Sequence, residues 1–141
     1  RELDGVQYLN DSKATMPASS IAALNSFDAP TVLILGGRGK HVSYDTLAEE
    51  AARCRAVVLI GEMTDRLDGL LSAQAPGQPR IRARSLEDAV TACAGLAQRG
   101  DVVLLSPACE SYDMFKNFEQ RGRVFKDAVA DLSPREVAGP C

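Results

Sequence analysis

The sequence has no tryptophan, and its aromatic content is confined to three tyrosines and four phenylalanines. A core for this chain must therefore be aliphatic, built from Val, Leu, Ile and Ala. There is one histidine, His41, which would have to serve every such role, so no Ser-His-Asp or Cys-His catalytic set is expected. His41 is read as a surface residue. The four cysteines, at 54, 93, 109 and 141, form no C-x-x-C pair, which argues against a zinc site; no metal site is expected. Cys93 falls in an Ala-rich helical pattern and reads as a small core residue, and the set as a whole suits a reducing compartment. No apolar run is long enough for a membrane span. Arg1 opens onto polar residues rather than a signal sequence, and the absence of a starting Met leads us to expect a piece of a longer protein. The formal net charge of −3 disfavours nucleic acid and membrane surfaces as partners.

What is present is one domain's worth of alternating elements. The 141 residues, 45% hydrophobic, can bury a core without disulfides. Compact apolar runs at Thr31–Leu35, Ala56–Ile60 and Val102–Leu105 have the composition of strands buried on both faces. Val6–Leu9 is a short fourth strand, and Ile81–Arg84 a weaker fifth. Helical spacing is found over Ser19–Ser26, Asp45–Arg53, Thr64–Ala73, Ser85–Gln98 and Phe118–Leu132. The fourth of these opens on a capping-box pattern, Ser85 with Asp88, and the last on Asn117 with Gln120. The alternation predicts an α/β fold: a Rossmann-like, doubly wound, mostly parallel sheet with helices on both faces. Pro76, Gly77 and Pro79 mark a surface loop. The folded unit is expected over residues 1–132, with a frayed tail over 133–141.

In such sheets ligands bind beyond the carboxyl ends of the strands. Three segments there are unusual: Asn10-Asp11-Ser12-Lys13-Ala14-Thr15, Gly36-Gly37-Arg38-Gly39-Lys40, and the stretch from Ser106 to Phe118. In a parallel sheet they share one edge. That edge collects Lys13, Arg38, Lys40 and Lys116 with the hydroxyls of Ser12, Thr15, Ser106 and Ser111, a rim suited to a small carboxylate or phosphate. The start of the last helix, at Phe118, adds free N–H groups. The Gly-rich segment is neither a Walker A loop nor a dinucleotide fingerprint, and alone it reads as a strand-to-helix turn. Asp11, Ser12 and Thr15 are alone as well explained by turns and caps. The last segment, about a dozen residues, exceeds the roughly 2–6 residues usual for α/β connections. Cys109 lies in it beside no evident activating base and reads as structural.

Together and in this order, Asn-Asp-Ser-Lys-Ala-Thr at 10–15, Gly-Gly-x-Gly-Lys at 36–40 and Leu-Ser-Pro-Ala-Cys-x-Ser-x-Asp-x-Phe-Lys-Asn-Phe-Glu-Gln-Arg-Gly at 105–122 resemble the C-terminal, amino-acid-binding domain of the D-glutamate-adding Mur ligases. The resemblance runs from Gly5 to Leu132. It implies a cytoplasmic enzyme of peptidoglycan synthesis that joins D-glutamate to UDP-N-acetylmuramoyl-L-alanine with ATP and Mg²⁺. ATP and Mg²⁺ would be bound mainly by a central domain whose P-loop this chain lacks. The substrate carboxylate becomes an acyl phosphate, which the amine of D-glutamate attacks. By the same resemblance Thr15, Lys40, Ser111 and the backbone at Phe118 would hold the carboxylates of D-glutamate. Lys13 would stabilise charge developing at the acyl phosphate, and Asp11 would accept from the ATP ribose. No residue here is a candidate general base. Alone, the domain would be inactive. Two other readings stand beside this one: a stand-alone anion-binding or regulatory module on the same fold, and a Mur-type ligase for another amino acid such as L-glutamate. One departure is local. The family pattern has Asn after Lys-Ala-Thr, and this chain has Met16 before Pro17. With Pro17 as first helical residue, Met16 is an N-cap without an acceptor, a cost of about 1 kcal/mol partly offset by proline.

Overall fold

A computed structural model describes residues 1–134. It contains six strands and five helices in the order β1 (Glu2–Leu3), β2 (Val6–Asn10), α1 (Pro17–Leu24), β3 (Thr31–Gly36), α2 (Asp45–Ala51), β4 (Ala56–Ile60), α3 (Thr64–Gln74), β5 (Arg80–Arg82), α4 (Leu86–Leu96), β6 (Val102–Leu105) and α5 (Phe118–Ala130). The strands form one sheet in the order β1-β2-β6-β3-β4-β5, with β1 antiparallel and the rest parallel. The α/β class and the doubly wound, mostly parallel sheet agree with the sequence reading.

The apolar runs alternate between two cores. Val32, Ile34, Val58, Ile60, Val103 and Leu105 face α4 and α5, against Leu86, Val90, Cys93 and Phe125. Leu33, Leu35, Val57, Leu59, Val102 and Leu104 face the other way, against Leu47, Ala51, Leu67 and Leu71 of α2 and α3. Both faces of β3, β4 and β6 are thus covered, which is why these strands carry no polar alternation. Cys93 is fully buried as a small core residue.

Three elements differ from expectation. The fifth strand is Arg80–Arg82 rather than Ile81–Arg84: it is an edge strand held by charge, Arg80 Nε lying 2.9 Å from Asp68 Oδ1 and Arg82 also pairing with Asp68 and Asp65. The first helix begins at Pro17, not Ser19, because proline occupies its first turn after Met16. The two-residue β1 lacks any sequence pattern; it is turned onto β2 through Asp4 (φ 56°) and Gly5 (φ 76°). Ser85 caps α4 by accepting from Asp88 N at 3.0 Å, as its pattern implies. Residues 135–141 of the expected tail lie outside the described residues.

The chain leaves β2 and β3 toward the face carrying α1 and α2, and leaves β6, which lies between them, toward α5 on the opposite face. The carboxyl end of β6 is therefore flanked by points where the winding reverses, the place where open α/β sheets form a crevice.

Candidate functional site

The three unusual segments converge at that place. The turn after β2 closes with Ala14 N donating to Asp11 O at 2.9 Å, and Asp11 N continues the ladder to Leu105 O at 2.7 Å. Ala14 O in turn accepts from Ala108 N at 3.0 Å, which docks the turn on the long loop. Ala108 is a non-glycine residue held at φ 62°, a left-handed conformation that costs ~1–2 kcal/mol and persists only where the surroundings impose it. The Gly-rich loop is fixed to the same long loop. Gly36 N donates to Pro107 O, and Arg38 and Glu110 exchange both backbone hydrogen bonds at 2.9 and 3.0 Å. Glycine is required at 37: φ is 132°, and a Cβ there would stand 2.4 Å from Glu110 O.

Arg121, on α5, is the node of this assembly. It is 1% exposed, and its guanidinium donates to Ser12 Oγ (2.9 Å), Ser12 O (2.6 Å) and Cys109 O (2.9 Å). Ser12 Oγ donates onward to Phe118 O at 2.6 Å. Burial, without a carboxylate paired to it, pulls the Arg121 guanidinium down to about 10. The close approach of α5 is made possible by Gly122, where a Cβ would lie 2.9 Å from the Asn10 side chain.

The six residues singled out above are placed as follows. Asp11, Lys13 and Phe118 line one groove of about 500 Å³ with Asn10, Glu119 and Arg123. Lys13 is exposed and makes no ion pair among the described residues, so its ammonium is available. One oxygen of Asp11, Oδ2, accepts from Ser106 Oγ at 2.8 Å. Phe118 opens α5. Asn117 accepts from Gln120 N at 2.8 Å, while Gln120 Oε1 accepts from Lys116 N rather than from the Asn117 N of a standard capping box. Thr15 follows the docked Ala14 and is half-buried. Lys40 and Ser111 stand on the two loops joined at Arg38 and Glu110. Lys40 Nζ lies 3.6 Å from Glu110 Oε1. Ser111 is 2% exposed, and its carbonyl accepts from Met114 and Phe115 N. Two hydroxyls counted in the rim, Ser12 and Ser106, are buried and engaged within the protein, so the rim is less hydroxyl-rich than its sequence suggests.

The contacts that support the site escape a sequence reading. Tyr44 is fully buried, and its hydroxyl accepts from Lys40 N at 3.2 Å and donates to Ala108 O at 3.4 Å. Asp113 Oδ2 accepts from Glu62 N at 3.0 Å, tying the turn after β4 to the long loop. Arg121 lay within a quoted motif, but nothing in an amphipathic helix pattern marks one arginine as the inward one. Cys109 is buried and its thiol pushed up to about 11 by desolvation, in keeping with a structural role. Among the described residues no group of three His, Cys, Asp or Glu side chains is placed to hold a metal ion, and no helix is long and apolar enough to cross a membrane.

Comparison with known proteins places this geometry in a family. Residues 1–109 match the family model described as Mur ligase, glutamate ligase domain, and the chain belongs to that family as a Mur ligase C-terminal domain. It is 48% identical over 138 residues to the UDP-N-acetylmuramoylalanine–D-glutamate ligase of Pseudomonas fluorescens, a match that takes in 94% of this chain and 30% of that protein. The ligase of the same name from Clostridium kluyveri is 42% identical over 137 residues, with the same coverage. The chain thus spans about 30% of the length of these curated relatives. Among solved structures, a murein peptide ligase from Psychrobacter arcticus superposes with a TM-score of 0.64 at 12% identity, over 96% of this chain and 30% of that one. MurF ligase from Thermotoga maritima, solved in complex with ADP, superposes with a TM-score of 0.54 at 17% identity, over 92% and 30%. At these identities the likeness is one of fold.

Proposed function

We propose that residues 1–132 form the amino-acid-binding domain of an ATP-dependent amide ligase that joins D-glutamate to UDP-N-acetylmuramoyl-L-alanine in cytoplasmic peptidoglycan synthesis. The observation that carries this is the junction of the three motif segments at the carboxyl end of β6, in a chain whose relatives bear that ligase name. D-glutamate presents two carboxylates, which call for a fixed cation and several N–H or O–H donors. Lys40, Thr15, Ser111 and the free N–H groups at Phe118 are that set. Because Ser111 is buried in this conformation, its hydroxyl meets the ligand only after the long loop or the neighbouring domains move.

Lys13 stands at the rim of the groove, where its unpaired ammonium stabilises the negative charge of the carboxylate under attack. ATP supplies the phosphoryl group that activates that carboxylate. Asp11 fits the ATP ribose: its Oδ2 takes Ser106 and a carboxylate retains further acceptor sites, facing the groove. Mg²⁺ would accompany ATP and be held mainly by the further domain that binds the nucleotide. Turnover requires the further domains that bind the UDP-sugar and ATP.

The test is a ligase assay on the full-length enzyme with D- and L-glutamate as alternative substrates. Product with the D isomer, a lowered kcat in Lys13→Ala and a raised KM for D-glutamate in Lys40→Ala are expected. Product with L-glutamate alone would move the chain to a different amino-acid-adding ligase, and wild-type kinetics in both variants would remove the site assigned here.

A further inference from the structure

The backbone bridge between Arg38 and Glu110 places the Glu110 side chain within reach of two cations, and it takes only one. Arg38 is turned to Glu62, Nε to Oε2 at 3.6 Å, whereas Glu110 Oε1 stands 3.6 Å from Lys40 Nζ. Lys40 lies two residues beyond the bridge, and side chains at diagonal positions of a paired backbone are within reach when they are long. The pair is partly exposed, 25% at Lys40 and 36% at Glu110, and its separation exceeds a direct hydrogen bond. Such a pair is weak and exchangeable.

We infer that Glu110 sets the affinity of the site for its amino acid, because its carboxylate occupies Lys40 where the carboxylate of the incoming ligand binds. The inference rests on the reading of Lys40 given under Proposed function. Glu110 holds the ammonium that the ligand needs, so the carboxylate of the ligand must displace it. The competition belongs to the free enzyme, since Glu110 has left Lys40 before the amine attacks. The change on removing the charge is therefore one of substrate binding, carried by KM rather than kcat.

The experiment is a D-glutamate saturation series on the full-length ligase, comparing wild type with Glu110→Gln, Lys40→Gln and the double variant. Glutamine keeps the volume and the backbone bridge of position 110. Glu110→Gln is expected to lower KM about two- to five-fold, the range of a partly exposed ion pair. Lys40→Gln should raise KM, and the double variant should have the KM of Lys40→Gln alone. An unchanged or raised KM in Glu110→Gln, beside a raised KM in Lys40→Gln, overturns the role of Glu110 and leaves the amino-acid site standing. A fall in KM that persists in the double variant also overturns it, since the charge then acts without Lys40. An unchanged KM in Lys40→Gln overturns both this inference and the site on which it rests.

Discussion

Arg121 Nε donates to Ser12 Oγ at 2.9 Å, joining α5 to the turn after β2 across 109 residues of chain. The same guanidinium reaches Cys109 O, so the turn, the long loop and the helix share one buried cation. Phe118 and Lys13, which belong to one groove, are held by the two ends of this junction.

Arg121→Met removes all three bonds. Each acceptor left buried and unmet costs ~1–3 kcal/mol, while relief of an unpaired, desolvated guanidinium offsets part of the loss. A net destabilisation of roughly 2–4 kcal/mol is expected from urea unfolding. A midpoint equal to wild type would mean that the three segments are held by packing alone.

Tyr44→Phe tests the strut beneath Lys40. The variant leaves Lys40 N and Ala108 O without the shared hydroxyl. About 1 kcal/mol of stability should go, with a raised KM for D-glutamate in the full-length ligase. If stability falls and KM does not, the hydroxyl supports the fold and not the site.

Met16→Asn should stabilise. The α1 N-cap has an extended backbone (φ −127°, ψ 148°) and no side-chain hydrogen bond, a conformation in which Asn can accept from the first turn. The gain expected in denaturant unfolding is about 0.5–2 kcal/mol. A loss would show that the 38% exposed Met16 side chain contributes more through packing than a cap would.

Alkaline pH should weaken the fold through its thiols. Burial pushes Cys54 up to about 12 and Cys109 up to about 11, against 9.0 for an unperturbed thiol. From pH 9 upward the unfolded chain loses protons that the folded chain keeps, so the folded state binds more protons and stability falls as pH rises. The contribution is complete below pH 9 and is lost by about pH 11 for Cys109 and pH 12 for Cys54. Urea midpoints at pH 8 and 10.5 in wild type and in Cys109→Ala measure the Cys109 share. An identical pH dependence in both would assign the loss to other groups.

The parts of this fold legible in sequence are those in which burial is two-sided. Ala56–Ile60 and Val102–Leu105 have the expected bounds because every residue in them faces one core or the other. Arg80–Arg82 was displaced because an edge strand stabilised by Asp65 and Asp68 carries no apolar run. The two residues of β1 are too few for any period. At the site, Asp11, Lys13 and Phe118 could be placed together from strand ends alone. Tyr44 and Arg121 could not, since their importance lies in which direction a side chain turns, and helical spacing is silent on which polar residue is buried. Ser12 and Ser106 reveal the converse: hydroxyls in suggestive loops are spent inside the protein, on Phe118 O and on Asp11 Oδ2.

The strand order has a consequence for synthesis. β6 is the last of the described strands in chain order, yet it lies between β2 and β3 and pairs with both. A nascent chain that has emerged as far as Asp101 has two strand edges waiting for one partner, and nothing earlier in the chain pairs them to each other. The sheet closes only after β6 emerges, and α5, with Arg121, follows it. Lys13 and Lys40, both already outside the ribosome, remain on separate, unjoined halves until then. Assembly of the domain is thereby delayed to its final third, and the unpaired edges of β2 and β3 are exposed meanwhile to pairing with other chains.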